Sequence, residues 1–425
     1  MPQNWIKNYN EIATTPARKM ALALVSAGLD AIETKSIIDK SVSLTGDILR
    51  VKDMEINLAE YGQIFIVGFG KAATEAALAL ENILGDKITE GAVIGLFHQA
   101  NFKKIRGFVG THPKPSEENV AASQAIVDLA QGITEKDLVI VVVSGGGSAM
   151  LCWPETEREQ SQKLYDDFLS TGGNIQELNT VRKHISMVKG GGLAKLFYPA
   201  KIVGLIFCDI PGNKYFDVAS GPTFKDTATV VEAQNVLDKY GLSGFTLNET
   251  EKDDKYFANV TNIPLVSNET ALAAMAEKAK LLGFTTKIFS SEIYEPAEET
   301  IKKMIACLSE ETDLVLAGGE IRLVIEKAVD KSGRNQFMAL TALGLIKEKQ
   351  LFISLASDGI DNADAAGAIA DELTIKKYKE LNLALEKYLV SHDTYNFFSS
   401  TSDLIFTGPT GANVADLMLL LKYRE

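Results

Sequence analysis

Two glycine-rich segments place residues that can bind anions directly after apolar runs. Val67–Ala73 (VGFGKAA) fits the loose dinucleotide pattern G-x-G-x-x-A and carries Lys71 where a helix should begin. Val141–Met150 (VVVSGGGSAM) carries Ser148 directly behind the consecutive glycines Gly145, Gly146 and Gly147. Consecutive glycines let backbone N–H groups converge on an anion, and a helix N-terminus favours negative charge. Both segments therefore indicate phosphate binding, against the plainer alternatives of a turn and a solvated lysine.

Neither segment completes a standard nucleotide or nucleophile motif. The dinucleotide fingerprint needs a carboxylate after the next strand, but the apolar run Ala92–Phe97 is followed by His98, Gln99 and Ala100. A nicotinamide site is therefore disfavoured. The second segment lacks the Gly-Lys-Ser/Thr of a P-loop, and Met150 stands where a nucleophile elbow needs glycine. We expect a phosphate or nucleotide loop of a different type.

A basic run precedes a third glycine-rich turn, Gly190–Gly192. Its potentially cationic residues are Arg182, Lys183, His184 and Lys189. On a helix, Arg182 and Lys189 would share a face. Such a run is usually a solvated surface, but the chain as a whole has a net charge of −13. Local basic density in an acidic chain favours an anion site, and the solvated face remains the alternative.

Oxygen-bearing side chains at predicted strand ends are candidates for holding Mg²⁺ with a nucleotide, because carboxylates and hydroxyls are the ligands Mg²⁺ prefers. Asp209 follows one apolar run, with Ser220–Thr223 in the same loop. A lone aspartate can equally form a turn or cap a helix. The second half of the chain adds further candidates, several of them in glycine-containing loops: Glu320, Arg334, Asn335, Asp358, Asp361, Asp364, Thr410, Asn413 and Asp416. The candidate metal ligands are Asp209, Asp358 and Asp361.

Short apolar runs alternate with helical patterns, which predicts an α/β fold with mostly parallel, helix-covered sheets. The predicted strands are Ile64–Val67, Ala92–Phe97, Leu138–Val143, Ile202–Phe207, Ile263–Val266, Leu314–Leu316, Leu323–Ile325, Phe352–Ala356 and Leu404–Phe406. The predicted helices are Ala72–Leu84, Glu117–Ala130, Thr270–Leu282, Pro296–Leu308, Gln336–Ile346 and Val414–Lys422.

Composition fits a two-domain globular protein of 425 residues. The polar, aperiodic stretch Leu242–Asn262 predicts a junction between domains 1–245 and 260–425. The acidic net charge disfavours nucleic acid and anionic membranes as partners. Three scattered cysteines encode neither a disulfide framework nor a zinc site. Without a signal-peptide core or a membrane-spanning apolar run, the expected location is cytoplasmic.

Taken in order, the motifs resemble the glycerate 2-kinase family, whose C-terminal half is called the MOFRL domain. The resemblance extends from about Ala17 to Leu420 and rests on VGFGKA, THPKP, SGGGSA, NTVRKHIS-MVKGGGLA, DIPG…ASGPT, GGE, GRNQ, DGID…AAGA and GPTGANV. It implies two Rossmann-like α/β domains with the active site in the cleft between them. It also implies transfer of the γ-phosphoryl group of ATP, with Mg²⁺, to the 2-hydroxyl of D-glycerate, giving 2-phosphoglycerate. By the same resemblance Lys71 and Arg334 are essential, and His112 lies in an HP-x-P loop.

Three loops depart from the family pattern, at Asn213, at Phe337 and at Asn362–Ala363. The acceptor is therefore expected to be D-glycerate or a close 2-hydroxy acid. The residues expected to bind substrate or phosphate are Gly145, Gly146, Gly147, Ser148, Arg182, His184, Lys189, Glu320, Asn335, Thr410 and Asn413. We expect small-molecule partners only, with assembly as a homodimer. The alternative functions are a hydroxypyruvate reductase-type oxidoreductase and a non-catalytic member that binds a nucleotide or sugar acid.

Overall fold

Strands and helices alternate along the chain of this computed structural model, which describes residues 5–96, 101–169, 171, 173–323 and 330–424. The strands are β1 Val42–Thr45, β2 Ile48–Val51, β3 Met54–Asn57, β4 Gln63–Phe69, β5 Glu90–Gly95, β6 Ile105–Val109, β7 Asp137–Val143, β8 Lys201–Phe207, β9 Val260–Val266, β10 Thr286–Ile293, β11 Leu314–Gly319, β12 Gln350–Ala356, β13 Gly367–Ala370, β14 Leu404–Ile405 and β15 Asp416–Lys422. The α-helices are α1 Tyr9–Ile12, α2 Pro16–Ile32, α3 Thr34–Ser41, α4 Ala73–Leu84, α5 Glu117–Leu129, α6 Gly147–Met150, α7 Glu155–Leu169, α8 Ile175–His184, α9 Gly192–Leu196, α10 Val230–Lys239, α11 Asn268–Leu281, α12 Ala297–Cys307, α13 Arg334–Leu343, α14 Glu372–Glu380, α15 Leu385–Ser391 and α16 Thr394–Thr401. None of the helices in these described ranges is both long and apolar enough to span a bilayer.

The chain divides into two compact units. The parallel-sheet unit comprises Thr34–Cys208 and Lys214–Leu265, and the mixed-sheet unit comprises Met1–Glu33, Asp209–Asn213 and Val266–Glu425. These limits differ from the expected domains 1–245 and 260–425, because the beginning of the chain belongs with its end.

The packing of α2 explains why the chain begins in the mixed-sheet unit. This helix contacts α11, and its Arg18 is completely buried. The Arg18 guanidinium donates from Nε and Nη2 to both oxygens of Asp371 at 2.7 Å, and from Nη1 to Asp403 at 2.7 Å. A buried guanidinium needs such carboxylate partners, so this network fixes α2 to β13–α14 and β14.

The sheet of the parallel-sheet unit has the order β6-β5-β4-β7-β8-β9. The pairings β6–β5, β5–β4, β4–β7 and β7–β8 are all parallel. Every residue of β7 is buried, as expected for a strand covered on both faces. The strand order reverses between β4 and β7, and the last residues of these strands, Phe69 and Val143, are directly paired. In doubly wound sheets the ligand site lies at this reversal, beyond the carboxyl ends of the strands.

The sheet of the mixed-sheet unit has the order β10-β11-β15-β12-β13-β14. The β10–β11 pair is parallel and the other neighbouring pairs are antiparallel. Four of the strands, β10, β11, β12 and β14, still run in one direction, and helices α11 and α13 pack on the sheet. The predicted α/β class is confirmed, while the expectation of parallel neighbours holds in this sheet for one pair only.

One predicted helix, Val414–Lys422, is wrong: these residues contribute β15, which pairs with both β11 and β12. The run LMLLL is apolar on every side, and periodicity cannot separate a buried strand from a buried helix in so short a segment. The predicted strand Leu323–Ile325 lies mostly outside the described residues, as does the end of Ala92–Phe97. Sequence patterns also missed the strands β1, β2, β3, β6, β10 and β13.

Candidate functional site

Backbone contacts lock the two glycine-rich loops together beyond β4 and β7. The Lys71 N–H donates to the carbonyl of Gly145 at 2.8 Å, and the Ala72 N–H donates to Ser144 Oγ at 3.1 Å. Gly70 has φ +114°, and a β-carbon there would lie 2.3 Å from Ser144 Oγ. Only glycine permits this approach. The strand reversal therefore holds the lysine-bearing loop against the triple-glycine loop.

Lys71 and His112 lie beside the middle glycine of the triple-glycine loop. A β-carbon on Gly146 would lie 3.4 Å from Lys71 Cγ and 3.3 Å from His112 Cδ2. Gly146 itself has φ +79°, the left-handed conformation that turns successive peptide groups in different directions. The Lys71 side chain is half-buried and that of His112 is exposed. The structure thus brings together a cation, an imidazole and the loop predicted to bind phosphate.

A chain of polar side chains continues from this loop, and we call its four members, Ser148, Ser220, Asn179 and Arg182, the Arg182 cluster. The hydroxyls of Ser148 and Ser220 are 2.9 Å apart. Ser220 Oγ donates to Asn179 Oδ1 at 3.5 Å, and Arg182 Nη1 donates to the same oxygen at 3.4 Å. Ser220 has φ +62°, an uncommon conformation for a residue other than glycine. Arg182 therefore connects to the triple-glycine loop within one unit.

The other residues of the basic run have acidic neighbours of their own. Lys189 is buried, ion-paired with buried Glu157, and donates to the carbonyl of Leu151 at 2.7 Å. Lys183 lies 3.2 Å from both Asp217 and Asp226. These pairings place the lysines in the framework of the fold, outside the Arg182 cluster.

His184 is also turned into the fold. Its ring is completely buried, with Nδ1 2.7 Å from the carbonyl of Thr180 and Nε2 3.6 Å from Glu249 Oε1. Arg182 differs, since within the described ranges no carboxylate lies at ion-pair distance from it. Burial without such a partner lowers the pKa of Arg182 to about 10.

A cavity of about 440 Å³ opens on the α8 face that carries Asn179, Thr180 and Lys183. Its lining also includes the aromatic residues Phe216 and Phe224. Asn179 therefore belongs both to the cavity wall and to the Arg182 cluster. The cavity is large enough for a small organic anion.

In the mixed-sheet unit, Arg334 begins α13 between two carboxylates. Its Nη2 donates to Glu320 at 2.8 Å and to Asp416 at 3.0 Å. Glu320 follows β11 and Asp416 begins β15, and these strands are neighbours in the sheet. Burial lowers the pKa of Arg334, but the charges of Asp416 and Glu320 outweigh it and raise the pKa above its ordinary value. Arg334 is thus a permanently charged group held in one orientation.

Asp361 acts as a cap for the helix that carries Arg334. Its Oδ1 accepts from the Asn335 N–H at 3.0 Å, and its Oδ2 accepts from the Gln336 N–H at 2.9 Å. A β-carbon on Gly333 would overlap the Asp361 carboxylate at 2.1 Å, so this loop position must be glycine. Burial raises the pKa of Asp361 to about 6. Asp361, expected as a metal ligand, also positions α13 through these two hydrogen bonds.

The remaining candidates of this unit lie in loops that brace one another. Asn413 Nδ2 donates to Asp209 Oδ2 at 3.3 Å. Thr410 Oγ donates to the carbonyl of Ser357 at 2.6 Å, and Asp358 Oδ1 accepts from the Ile360 N–H at 3.0 Å. Within the residues the structure describes, no three His, Cys, Asp or Glu side chains converge to hold a metal ion.

Sequence reasoning missed Asn179 and the pairing of Lys189 with Glu157. Asn179 stands three residues before Arg182, the spacing at which helix neighbours meet, so the sequence did contain a signal for it. Glu157 lies on another helix, and nothing in the local pattern connects it with Lys189.

The parallel sheet, with its glycine loops and a lysine at the strand reversal, defines an α/β protein whose candidate ligand site lies beyond the carboxyl ends of β4 and β7. Residues 20–251 match a domain of unknown function, DUF4147, and residues 313–416 match the MOFRL family. The chain is 33% identical over 434 residues to a glycerate 2-kinase of Pyrococcus horikoshii, covering 95% of this chain and 97% of the relative. The crystal structure of a glycerate kinase from Thermotoga maritima aligns with TM-score 0.79 at 28% identity, covering 95% of this chain and 99% of that one. A putative hydroxypyruvate reductase of Agrobacterium vitis is 31% identical, covering 85% of this chain and 87% of the relative. The chain belongs to the glycerate 2-kinase family and is an enzyme of the kinase class.

Proposed function

We propose that this enzyme transfers the γ-phosphoryl group of ATP to the 2-hydroxyl of D-glycerate, or of a close 2-hydroxy acid, with Mg²⁺. The observation that carries the proposal is the triple-glycine loop at the strand reversal, with Lys71 and His112 beside Gly146. Family membership supports glycerate as the acceptor. The expected product is 2-phosphoglycerate.

Lys71 is the group we assign to the transferring phosphoryl. Phosphoryl transfer depends mainly on positioning and on cations that neutralise charge at the transferring oxygens. The Lys71 backbone is fixed by its hydrogen bond to Gly145, and its Cγ lies beside Gly146 of the triple-glycine loop. His112 lies beside the same glycine, so a neutral imidazole there can accept the proton of the attacking hydroxyl.

Arg334 is the second cation we assign to phosphate. Asp416 is 1% exposed and holds one side of the guanidinium, whereas the Glu320 side chain is 41% exposed. We expect a phosphate to take the place of Glu320, while Asp416 keeps the guanidinium oriented. A bidentate guanidinium contact with phosphate is among the stronger hydrogen-bonding arrangements in proteins.

Magnesium would supply charge neutralisation on the phosphates. It is usually held by one or two carboxylates together with substrate phosphates, so a ready-made cage of three carboxylates is not required. Asp361 is less accessible to a cation, because it is buried and each of its oxygens already accepts a backbone N–H group. Asp209 Oδ2 accepts from Asn413 Nδ2, and Asp358 Oδ1 accepts from the Ile360 N–H. We assign Asp209 and Asp358 as the carboxylates for the cation.

A coupled assay of ADP release with D-glycerate, ATP and Mg²⁺ tests the proposal. We expect turnover of at least about 1 s⁻¹, the low end for kinases. Phosphorus NMR of the product should show an ester at the 2-hydroxyl. Wild-type activity no greater than that of Arg334→Ala would refute the proposal.

A reductase is the second candidate, because G-x-G-x-x-A lies between β4 and α4 and one relative is named a putative hydroxypyruvate reductase. The sequence after β5 offers no carboxylate for a ribose, although His98, Gln99 and Ala100 lie outside the described residues. We expect no decay of nicotinamide absorbance with hydroxypyruvate and NADH or NADPH. A clear decay would favour the reductase. ATP binding in calorimetry without any phosphorylated product would instead favour a non-catalytic member.

A further inference from the structure

Arg182 stands apart from the other basic residues of its segment. Lys183 is compensated by two aspartates and Lys189 by Glu157, while His184 faces Glu249. Within the described part of the chain, Arg182 has no carboxylate at ion-pair distance. The segment therefore contributes one uncompensated positive charge, and that charge is on Arg182.

An uncompensated guanidinium in a partly buried position is costly to keep. Removing a charged group from water without a partner opposes folding, which is also why the pKa of Arg182 is lowered. A hydrogen bond to the neutral oxygen of Asn179 at 3.4 Å recovers little of that cost. An anionic ligand would supply the missing partner.

The position of Arg182 connects it to the loop assigned to phosphate. Asn179 Oδ1 accepts from both Arg182 and Ser220, and the Ser220 hydroxyl lies 2.9 Å from that of Ser148. Ser148 directly follows the triple-glycine loop. A ligand held at the Arg182 cluster would therefore be bound next to the loop at which the phosphoryl group arrives.

The composition of the cluster selects the ligand. One positive charge with two hydroxyls and an amide matches a monoanion with few oxygens better than a triphosphate. The planar fork of a guanidinium also matches the two oxygens of a carboxylate. Lys71 lies in the other glycine-rich loop, and we assign it to the phosphates.

We propose that Arg182 binds the carboxylate of the acceptor, with Ser148, Ser220 and Asn179 as neighbouring polar contacts, and so selects small hydroxycarboxylates over uncharged polyols. The inference rests on the proposed kinase function, which it deepens by assigning the group that recognises the acid. It makes Arg182 a specificity-determining residue and separates acceptor binding from nucleotide binding within the same unit.

Steady-state kinetics of Arg182→Met and Arg182→Lys test this assignment. We expect the KM for D-glycerate to rise roughly 30-fold or more in Arg182→Met, as for loss of a charge-assisted hydrogen-bond pair, with the KM for ATP unchanged. Arg182→Lys should recover part of the affinity. Arg106→Gln is the matched control, because it removes an exposed, ion-paired arginine from the edge strand β6 and should alter neither KM.

Thermal unfolding separates binding from a structural role. Methionine keeps the apolar stem of Arg182 and removes its uncompensated charge, so Arg182→Met should melt at or above the wild-type temperature. The proposal would be overturned if Arg182→Met had a lower melting temperature than the wild type and bound both D-glycerate and ATP more weakly. A rise in the KM for ATP alone, or no change in the KM for D-glycerate, would overturn it as well.

Calorimetric binding distinguishes a failure of this inference from a failure of the kinase proposal. D-glycerate, D-lactate and glycerol are titrated into the wild type and Arg182→Met without ATP. The assignment is supported if the wild type binds either acid and binds glycerol only weakly, and if the binding of the acid is lost in Arg182→Met. This holds even if no turnover occurs. Absence of carboxylate binding to the wild type, or equal binding to the variant, contradicts it.

Discussion

At the scale of single residues, the candidate site depends on a few glycines at which a β-carbon would collide with a neighbouring residue. Gly70 is the clearest, because its neighbour Ser144 occupies the space of a β-carbon. The Asp361 carboxylate caps α13, and among the described residues no carboxylate lies at ion-pair distance from the Arg182 guanidinium. Gly70 and Asp361 thereby fix the positions of Lys71 and Arg334 within their own loops.

Substituting Gly70 should separate steric overlap from backbone strain. Gly70→Ala forces a β-carbon onto Ser144 at φ +114°, whereas Gly132→Ala at φ +77° meets nothing within 4 Å. We expect Gly132→Ala to cost about 1 kcal/mol from backbone strain alone. Gly70→Ala should cost on the order of 3 kcal/mol or more and abolish activity, as measured by urea unfolding and by ADP release. Equal costs for the two variants would refute the tight approach of the loops.

Asp361 should make stability depend on pH with a definite sign. Burial raises the folded-state pKa of Asp361 to about 6 from its ordinary value of 3.8, so the folded protein binds the proton more tightly than the unfolded chain does. The stability of the wild type relative to Asp361→Asn should therefore fall as the pH rises from about 4 to about 6, and level off above that. Urea unfolding of both proteins across this range measures the difference. A relative stability that increases with pH would contradict the raised pKa.

At the scale of elements, strand ends and helix starts place each reactive group. β4 and β7 align the two glycine loops, α8 presents Asn179 and Arg182, and β11 and β15 deliver the carboxylates that hold Arg334. The wrong prediction for Val414–Lys422 matters here, because β15 supplies Asp416. Its uniformly apolar sequence fits the middle of a sheet covered on both faces, a context that no local pattern reveals.

The anchoring of α2 gives an element-level prediction. Arg18→Met leaves Asp371 buried without its cation and Asp403 with Lys377 alone, which should cost about 3 to 5 kcal/mol. Arg50→Met is the control, because its ion pair with Glu55 on the surface hairpin is exposed, and no measurable change is expected. Thermal melting of both variants provides the comparison. Equal melting temperatures would show that the Arg18 network does not hold α2 in place.

At the scale of the whole molecule, the chain is acidic, with a net charge of −13, yet it carries basic residues such as Lys71 and Arg182 in or next to its glycine-rich loops. Sequence alone indicated those loops, since Gly70, Lys71 and the triple glycine are read directly from local spacing. It did not separate Arg182 from Lys183, His184 and Lys189, because their acidic partners come from α7, the loop after β8 and the segment before β9. Nor did it predict that the first helices pack with the last strands, since Arg18 is 353 residues from Asp371. Local geometry was predictable, whereas pairing across long distances required the fold.

One comparison of ADP-release rates tests whether this kinase phosphorylates D-glycerate through Lys71. Wild type, Lys71→Met and Lys136→Met are assayed with D-glycerate, ATP and Mg²⁺. Lys136 is an exposed lysine just before β7, at the opposite end of that strand from the triple-glycine loop, and is the matched control. We expect Lys136→Met to match the wild type and Lys71→Met to lose about a hundredfold or more in kcat. Equal rates for Lys71→Met and the wild type, or no D-glycerate-dependent ADP release by any of the three, would contradict the claim.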